Sequence, residues 1–234
     1  TCYPRDCHDV YEDGLTTDGV YLIYPSGPYS SPVSVYCDMS TKGGPWTVFQ
    51  KRFNGSVDFY RGWQEYQSGF GEVDGEYWLG LRNVYLLTLT GQYRLRIDLE
   101  DFENHKRFVT YEEFSLSRFA VSPEKDGYKL NIDGFKEGDA STKIGDSMES
   151  HAGMAFTTFD RDMDLDHTRN CAQIYRGAFW HKFCHSANLN GKYLKGTTTE
   201  YATGIVWKTW KGFYYSLKRS EMKMARQTSP PLTE

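Results

Sequence analysis

The run Phe159-Asp160-Arg161-Asp162-Met163-Asp164-Leu165-Asp166-His167-Thr168-Arg169-Asn170-Cys171 sets four carboxylates on alternate positions, Asp160, Asp162, Asp164 and Asp166. Anions this close repel one another unless a cation sits among them. Hard oxygen donors at every second position are what a wrapped loop needs to enclose calcium, which takes about 6–8 oxygens, backbone carbonyls included. The pattern is not that of an EF-hand. Counted from Asp160, the glycine position holds Leu165 and the closing glutamate position holds Cys171. The other reading of the spacing is a solvated acidic loop. Downstream the chain passes the aromatic pair Phe179-Trp180, reaches Cys184 and ends in the polar turn Asn188-Leu189-Asn190-Gly191.

Composition bounds what surrounds this stretch. At 234 residues the chain can bury one large core or two closely packed subdomains. The 18 Tyr, 14 Phe and 6 Trp, with 22 Gly, suit a loop-rich domain in which rings supply the packing that short elements cannot. A formal net charge of −4 gives no reason to expect nucleic acid or an anionic membrane as partner. There is no apolar run of about 18 residues, so membrane insertion is not expected. The chain opens without a signal-peptide pattern and reads as a mature or trimmed form. Five cysteines, Cys2, Cys7, Cys37, Cys171 and Cys184, leave one over if the rest pair, and none stands in a C-x-x-C motif. With the sequon Asn54-Gly55-Ser56 as a glycosylation candidate, they point to a secreted, extracellular protein rather than a reduced cytosolic one.

Periodicity gives the secondary structure. Tyr93, Leu95, Ile97 and Leu99 alternate with Arg94, Arg96, Asp98 and Glu100, a half-buried antiparallel strand. Residues 18–25, 34–39 and 46–50 read as three earlier strands, and Tyr128 to Asp133 as a strand after a hairpin turn at Asp126-Gly127. Arg61 to Phe70 and Glu76 to Thr88 are helical candidates, the second with Trp78, Leu81 and Tyr85 on one face and Gly91 as its stop. From about Ala140 periodicity fades into a long irregular stretch, until Ser216 to Met224 reads as a closing strand.

Several motifs carry a family resemblance over nearly the whole chain. Asp18-Gly19-Val20-Tyr21, Gly43-Gly44-Pro45-Trp46-Thr47-Val48, Gln50-Lys51-Arg52, Glu76-Tyr77-Trp78-Leu79-Gly80-Leu81, Asn170-Cys171, Asn188-Leu189-Asn190-Gly191 and Tyr215-Ser216-Leu217-Lys218 resemble a fibrinogen-like domain. The resemblance implies an α+β fold: a small N-terminal subdomain, a central twisted antiparallel sheet with short helices, and a loop-rich C-terminal subdomain holding calcium and ligand. The implied boundaries are a fibrinogen-like domain over 7–226, divided into 7–54, 55–139 plus 216–224, and 140–215. Residues 1–6 precede it and a flexible tail, 227–234, follows. Cys7 is expected to pair with Cys37 and Cys171 with Cys184, leaving Cys2 for an interchain disulfide that makes a homodimer or higher oligomer.

Carried over by resemblance, the calcium ligands are the side chains of Asp162 and Asp164 and the carbonyls of Asp166 and Thr168. Counted back from Cys171 the carbonyls belong instead to His167 and Arg169, because this loop is one residue longer than the family usually shows. Asp160 is expected to orient the loop. The ligand pocket maps onto Tyr175, Cys184, His185, Tyr201 and Ala202, with Phe213 as an apolar wall. The Phe183–Cys184 peptide is expected to be cis, turning the N–H groups of Cys184 and His185 toward one acceptor such as an acetyl carbonyl. Fibrin-type pockets resemble this one but carry an aspartate at position 202 for a cationic amine; Ala202 suits an uncharged acetyl methyl. The implied partners are acetylated sugars on microbial or matrix surfaces. A second reading is a matrix scaffold that binds collagen, elastin or fibrillin microfibrils without lectin activity.

An enzyme finds little support: Gly-x-Ser-x-Gly, His-Glu-x-x-His and phosphate-loop motifs are all missing. His181 and His185, four apart beside Cys184, have the spacing of zinc ligands on a helix, but the flanking aromatics and turn residues disfavour a helix there. Lys208, Lys211, Lys218, Arg219, Lys223 and Arg226 form a basic cluster along the C-terminal segment, either a contact for sulfated glycans or a solvated strand face.

Overall fold

A computed structural model describes residues 2–117 and 122–228. The chain opens with helix α1 (Cys7–Glu12), then strands β1 (Gly19–Ile23), β2 (Val33–Asp38) and β3 (Trp46–Arg52). Helix α2 (Trp63–Ser68), the short strands β4 (Phe70–Gly71) and β5 (Tyr77–Trp78), and helix α3 (Leu81–Thr90) come next. Strands β6 (Tyr93–Glu100) and β7 (Lys106–Leu116) lead to helix α4 (Pro123–Asp126) and strand β8 (Leu130–Glu137). The last third holds α5 (Cys171–Ile174), β9 (Ala187–Asn188), β10 (Gly196–Thr197), β11 (Val206–Trp207), α6 (Lys208–Lys211) and β12 (Tyr215–Ser216), before the long strand β13 (Arg219–Arg226).

Among the described residues one antiparallel sheet of nine strands organises the fold, in the order β1-β2-β3-β13-β6-β7-β8, with β4 and β5 off β3. The last strand therefore fills the middle of the sheet, between β3 and β6, and the N-terminal strands are continuous with the central ones. Every residue of β3 is buried. At the chain's start, the Asp6 carboxylate caps α1 through the N–H groups of His8 and Asp9. It also takes the Tyr93 hydroxyl and pairs with Arg226 at 2.7 Å, tying α1 to both β6 and the end of β13. Bridges join Cys7 to Cys37 and Cys171 to Cys184. Cys2, outside both bridges, is exposed.

The core is aromatic where the elements are short. Tyr66 of α2, Trp78 of β5, Phe156 and Trp180 form a cluster with ring centroids 5.0 to 6.3 Å apart. The Trp180 indole donates to the carbonyl of Tyr128 at 2.9 Å, which docks the irregular C-terminal region onto the sheet. Among the described residues no helix is long and apolar enough to cross a membrane.

Several boundaries move from the sequence expectation. The helix expected over 76–88 runs over Leu81–Thr90, because Tyr77 and Trp78 pair instead with Lys51 and Gln50 of β3. Gly80, at φ +109, makes the turn between the two elements; a side chain there would meet the backbone of Gln67 and Ser68. The helix expected over 61–70 shortens to Trp63–Ser68, since Phe70 joins β4. Asp126-Gly127 is not a hairpin turn: it ends α4, with Gly127 in the left-handed conformation as C-cap. The closing strand expected at 216–224 splits into β12 and β13. Of the expected tail, Gln227 is held by its N–H on Gln92 O at 2.8 Å, and 229–234 lie outside the described residues.

Candidate functional site

The acidic loop is built by its own carboxylates. Asp164 accepts the N–H of Asp166 at 2.8 Å with one oxygen and the N–H of Cys171 at 2.9 Å with the other. Asp162 accepts the N–H of Asp164 at 3.2 Å. Asp166 is taken up differently. One oxygen receives the Thr168 hydroxyl at 2.7 Å and the other the Arg169 guanidinium at 2.8 Å. Asp160 turns away from the loop: its carboxylate accepts the Trp63 N–H at 2.9 Å and the Thr158 hydroxyl at 2.7 Å. It thereby caps α2, whose N-cap residue Gly62 has no side chain to do so.

Asp162 and Asp164 are left as neighbouring carboxylates. Partial burial, with the nearby charge of Asp162 adding to it, pushes the Asp164 carboxyl up to about 6. A divalent ion with hard-oxygen preference would relieve both effects, so the donor chemistry fits calcium. Of the carbonyls counted forward, Asp166 O accepts the Arg169 N–H at 3.2 Å. Among the described residues, those of His167, Thr168 and Arg169 accept no hydrogen bond from the protein. Asp166, Cys171 and Cys184 also converge within 4.8 Å of one another, but the bridge uses both sulfurs, so this is no ligand set.

The bridge leads to a cleft of about 320 Å³. Tyr175, Cys184, His185, Tyr201, Ala202 and Phe213 all line it, with Ser150, Lys182, Phe183, Ser186 and Lys208. The rings enclose it: Tyr175 to His185 at 4.9 Å, Tyr175 to Tyr201 at 6.3 Å, Tyr201 to Phe213 at 5.2 Å. Phe183 is 72% exposed and Tyr201 48%, so the rim keeps apolar surface open to a ligand. The Phe183–Cys184 peptide is cis. Among the described residues, the N–H groups of Cys184 and His185 reach no acceptor in the protein. The His185 ring is bonded through Nε2 to the carbonyl of Ala202 at 2.9 Å. Burial holds its pKa well below the ordinary histidine value, so the ring is neutral and Nε2 donates. Ala202 sits at φ +58.

Sequence reasoning gave no site role to the two residues that brace this cleft. The Asn188 amide donates to the carbonyls of Tyr175 at 3.1 Å, Ala202 at 3.4 Å and Gly204 at 3.2 Å, holding opposite walls together. A Cβ on Gly191 would stand 2.6 Å from that amide nitrogen and 2.3 Å from Gly204 O, so the motif's glycine lets the strands close. Fully buried His151 is bonded to Trp180 O at 2.7 Å and accepts the N–H groups of Ser186 and Ala187 at 3.2 and 3.1 Å. The local signals were the Asn-Leu-Asn-Gly turn and an isolated histidine, neither of which reveals its partners, 13 to 16 residues away for Asn188 and 29 to 36 for His151.

Other candidates are dispersed. The zinc-like spacing of His181 and His185 yields no helix, Cys184 is in the bridge, and His181 Nε2 is bonded to Gly177 O at 2.7 Å. The basic cluster does not form one free face. Lys211 pairs with Asp101, Lys218 with Glu100, Arg219 with Glu221, and Arg226 with Asp6 and Asp9. Lys223 is buried among Asp38, Asp98 and Glu221, and Lys208 lines the cleft. Asn54 stands in an exposed turn, its side-chain oxygen accepting the Ser56 N–H at 3.0 Å.

Comparison with known proteins places this architecture. The family model for the C-terminal globular domain of fibrinogen beta and gamma chains matches residues 3–227. Microfibril-associated glycoprotein 4 of Bos taurus is 61% identical over 223 residues, covering 95% of this chain and 85% of the relative. The fibrinogen-like globe domain of human ANGPTL2 superposes with a TM-score of 0.87 at 39% identity, covering 96% of this chain and 100% of that one. A lamprey fibrin D-dimer complexed with the peptide Gly-His-Arg-Pro-amide gives a TM-score of 0.85 at 35% identity, covering 99% and 77%. The chain therefore belongs to the family of fibrinogen C-terminal globular domains.

Proposed function

We propose that this chain is a matrix-associated recognition domain that binds acetylated ligands, acetylated sugars foremost, in the cleft between Tyr175 and Phe213. The observation that carries the reading is the pair of N–H groups, on Cys184 and His185, with no acceptor among the described residues. Two donors from consecutive residues suit one carbonyl oxygen, and the rings of Tyr175, Tyr201 and Phe213 suit the methyl beside it. Among the described residues no carboxylate lines the cleft, while Lys182 and Lys208 do. A cationic peptide such as that in the lamprey fibrin complex would therefore meet no counter-charge here.

Calcium at Asp162 and Asp164 would supply charge neutralisation to the loop. The residues themselves transmit its order: Asp164 holds the Cys171 N–H, and Cys171 is bridged to Cys184 at the cleft wall. Likeness to a protein named microfibril-associated supports an extracellular matrix setting with microfibrils as partners. One small cleft buries little area, so high avidity would need linked copies, and exposed Cys2 is available for an interchain bridge.

Isothermal titration with N-acetylglucosamine and with glucosamine tests the reading. Binding of the first alone, lost in Tyr175→Ala, is expected; equal response to both sugars contradicts it. If neither sugar binds but microfibrils do, the scaffold reading stands and the cleft reading falls.

A further inference from the structure

A second recess, of about 400 Å³, lies between the 55–60 loop and the turn at 191–194. Arg52, Asp58, Tyr60, Arg176 and Lys192 line it. Arg52 is 2% exposed, and among the described residues no carboxylate stands within ion-pairing distance of its guanidinium. Its Nη1 donates to Leu189 O at 3.3 Å and to Gly191 O, while its Nε finds no acceptor. The nearby Glu76 carboxylate is committed elsewhere, to the N–H groups of Phe53, Asn54, Gly55 and Val57. A buried guanidinium with no carboxylate partner is costly, and it stands at the wall of this recess.

Two other lining residues, Arg176 and Lys192, are cationic as well. Arg176, at φ +53, lays its guanidinium 5.1 Å from the Tyr60 ring centroid and, among the described residues, forms no ion pair. Lys192 is paired with Glu200 at 2.6 Å. Among the described residues Asp58 is the single lining acid, and its Oδ1 takes the Tyr60 N–H at 2.9 Å. We propose that this recess is an oxyanion site, taking a sulfate, phosphate or carboxylate group between Arg52, Arg176 and Lys192. Guanidinium forks match such groups in shape as well as charge. The site is separate from the acetyl cleft: Tyr175 lines one and Arg176, the next residue, lines the other.

The test is thermal unfolding and titration calorimetry with sodium sulfate and sodium phosphate, at ionic strength matched with chloride. The intact chain is compared with Arg176→Gln and Lys192→Gln, both exposed positions; Arg52 is left alone because it also holds Leu189 and Gly191. Sulfate is expected to stabilise beyond chloride, and Arg176→Gln to weaken its binding about tenfold while leaving N-acetylglucosamine binding unchanged. A sulfated disaccharide distinguishes the source: tighter binding than inorganic sulfate assigns the site to a glycan sulfate, weaker binding to a free anion. Stabilisation by sulfate no greater than by chloride, or equal sulfate affinity in the intact chain and both variants, overturns the proposal.

Discussion

The carboxylate of Asp164 accepts the backbone N–H of Cys171 at 2.9 Å. Cys171 is in turn bridged to Cys184, so one hydrogen bond and one disulfide separate the acidic loop from the cleft. These two links are a direct route from Asp164 to the cleft wall.

Calcium should stabilise the chain through this loop. At a hundredfold excess over its dissociation constant the gain is about 2.7 kcal/mol, or roughly 5–10 °C in melting temperature for a chain of this size. In Asp162→Asn/Asp164→Asn the calcium-dependent shift is expected to vanish. Melting curves with calcium and with chelator check this; a shift that survives the double substitution puts the ion elsewhere.

Ala202→Asp should invert the cleft's preference. Aspartate tolerates the left-handed backbone at this position, so the fold is expected to persist. Placing a carboxylate where the acetyl methyl would sit should weaken N-acetylglucosamine binding at least about tenfold. It should also create retention of peptides with a free N-terminal amine. Unchanged preference in a folded variant would remove position 202 from the recognition surface.

Acid should loosen the fold through buried histidines. Burial pulls His151 down to about 3 and His181 to about 4 from an ordinary value of 6.5. Both are neutral in the fold, while the unfolded chain binds a proton at each below 6.5. Their stabilising contribution is thus full above that pH and is lost as pH falls toward 4 and 3. The expected slope is about 1.4 kcal/mol per pH unit for each histidine. Denaturant unfolding between pH 7 and 5 measures it. His151→Gln should show a shallower slope, and an unchanged slope would mean that His151 is not buried neutral.

Much of the fold was legible because the sheet obeys a period of two where one face is solvated. Tyr93 to Leu99 alternates in sequence and in burial alike. Strand β7 escaped notice because a register shift opposite Tyr93 and Leu95 breaks its alternation, so Phe114, Ser115 and Leu116 are buried in succession. Strand β5 was hidden because Tyr77-Trp78 precedes a true helical face and only its pairing with β3 reveals it. In the site, residue type and family motif brought out the cleft rings. The long-range polar bonds of Asn188, His151 and Arg52 have no local pattern to betray them.

The sheet's centre offers a stability test. Lys223 of β13 reaches Asp38 of β2 and Asp98 of β6 at 2.6 Å each, and Glu221 at 3.2 Å. Lys223→Met keeps the stem's packing but leaves three carboxylates without their shared cation, at a cost of about 3–5 kcal/mol. Urea unfolding at neutral pH reads this directly; a loss under about 1 kcal/mol would show that solvent already screens the cluster.

Retention on an acetylated resin, followed by elution, bears most directly on the coupling of loop and cleft. The chain should bind in calcium and leave on addition of either chelator or free N-acetylglucosamine, and Asp162→Asn/Asp164→Asn should pass through unretained. Retention that persists in chelator and ignores the free sugar, with the double variant holding as firmly as the intact chain, would contradict it.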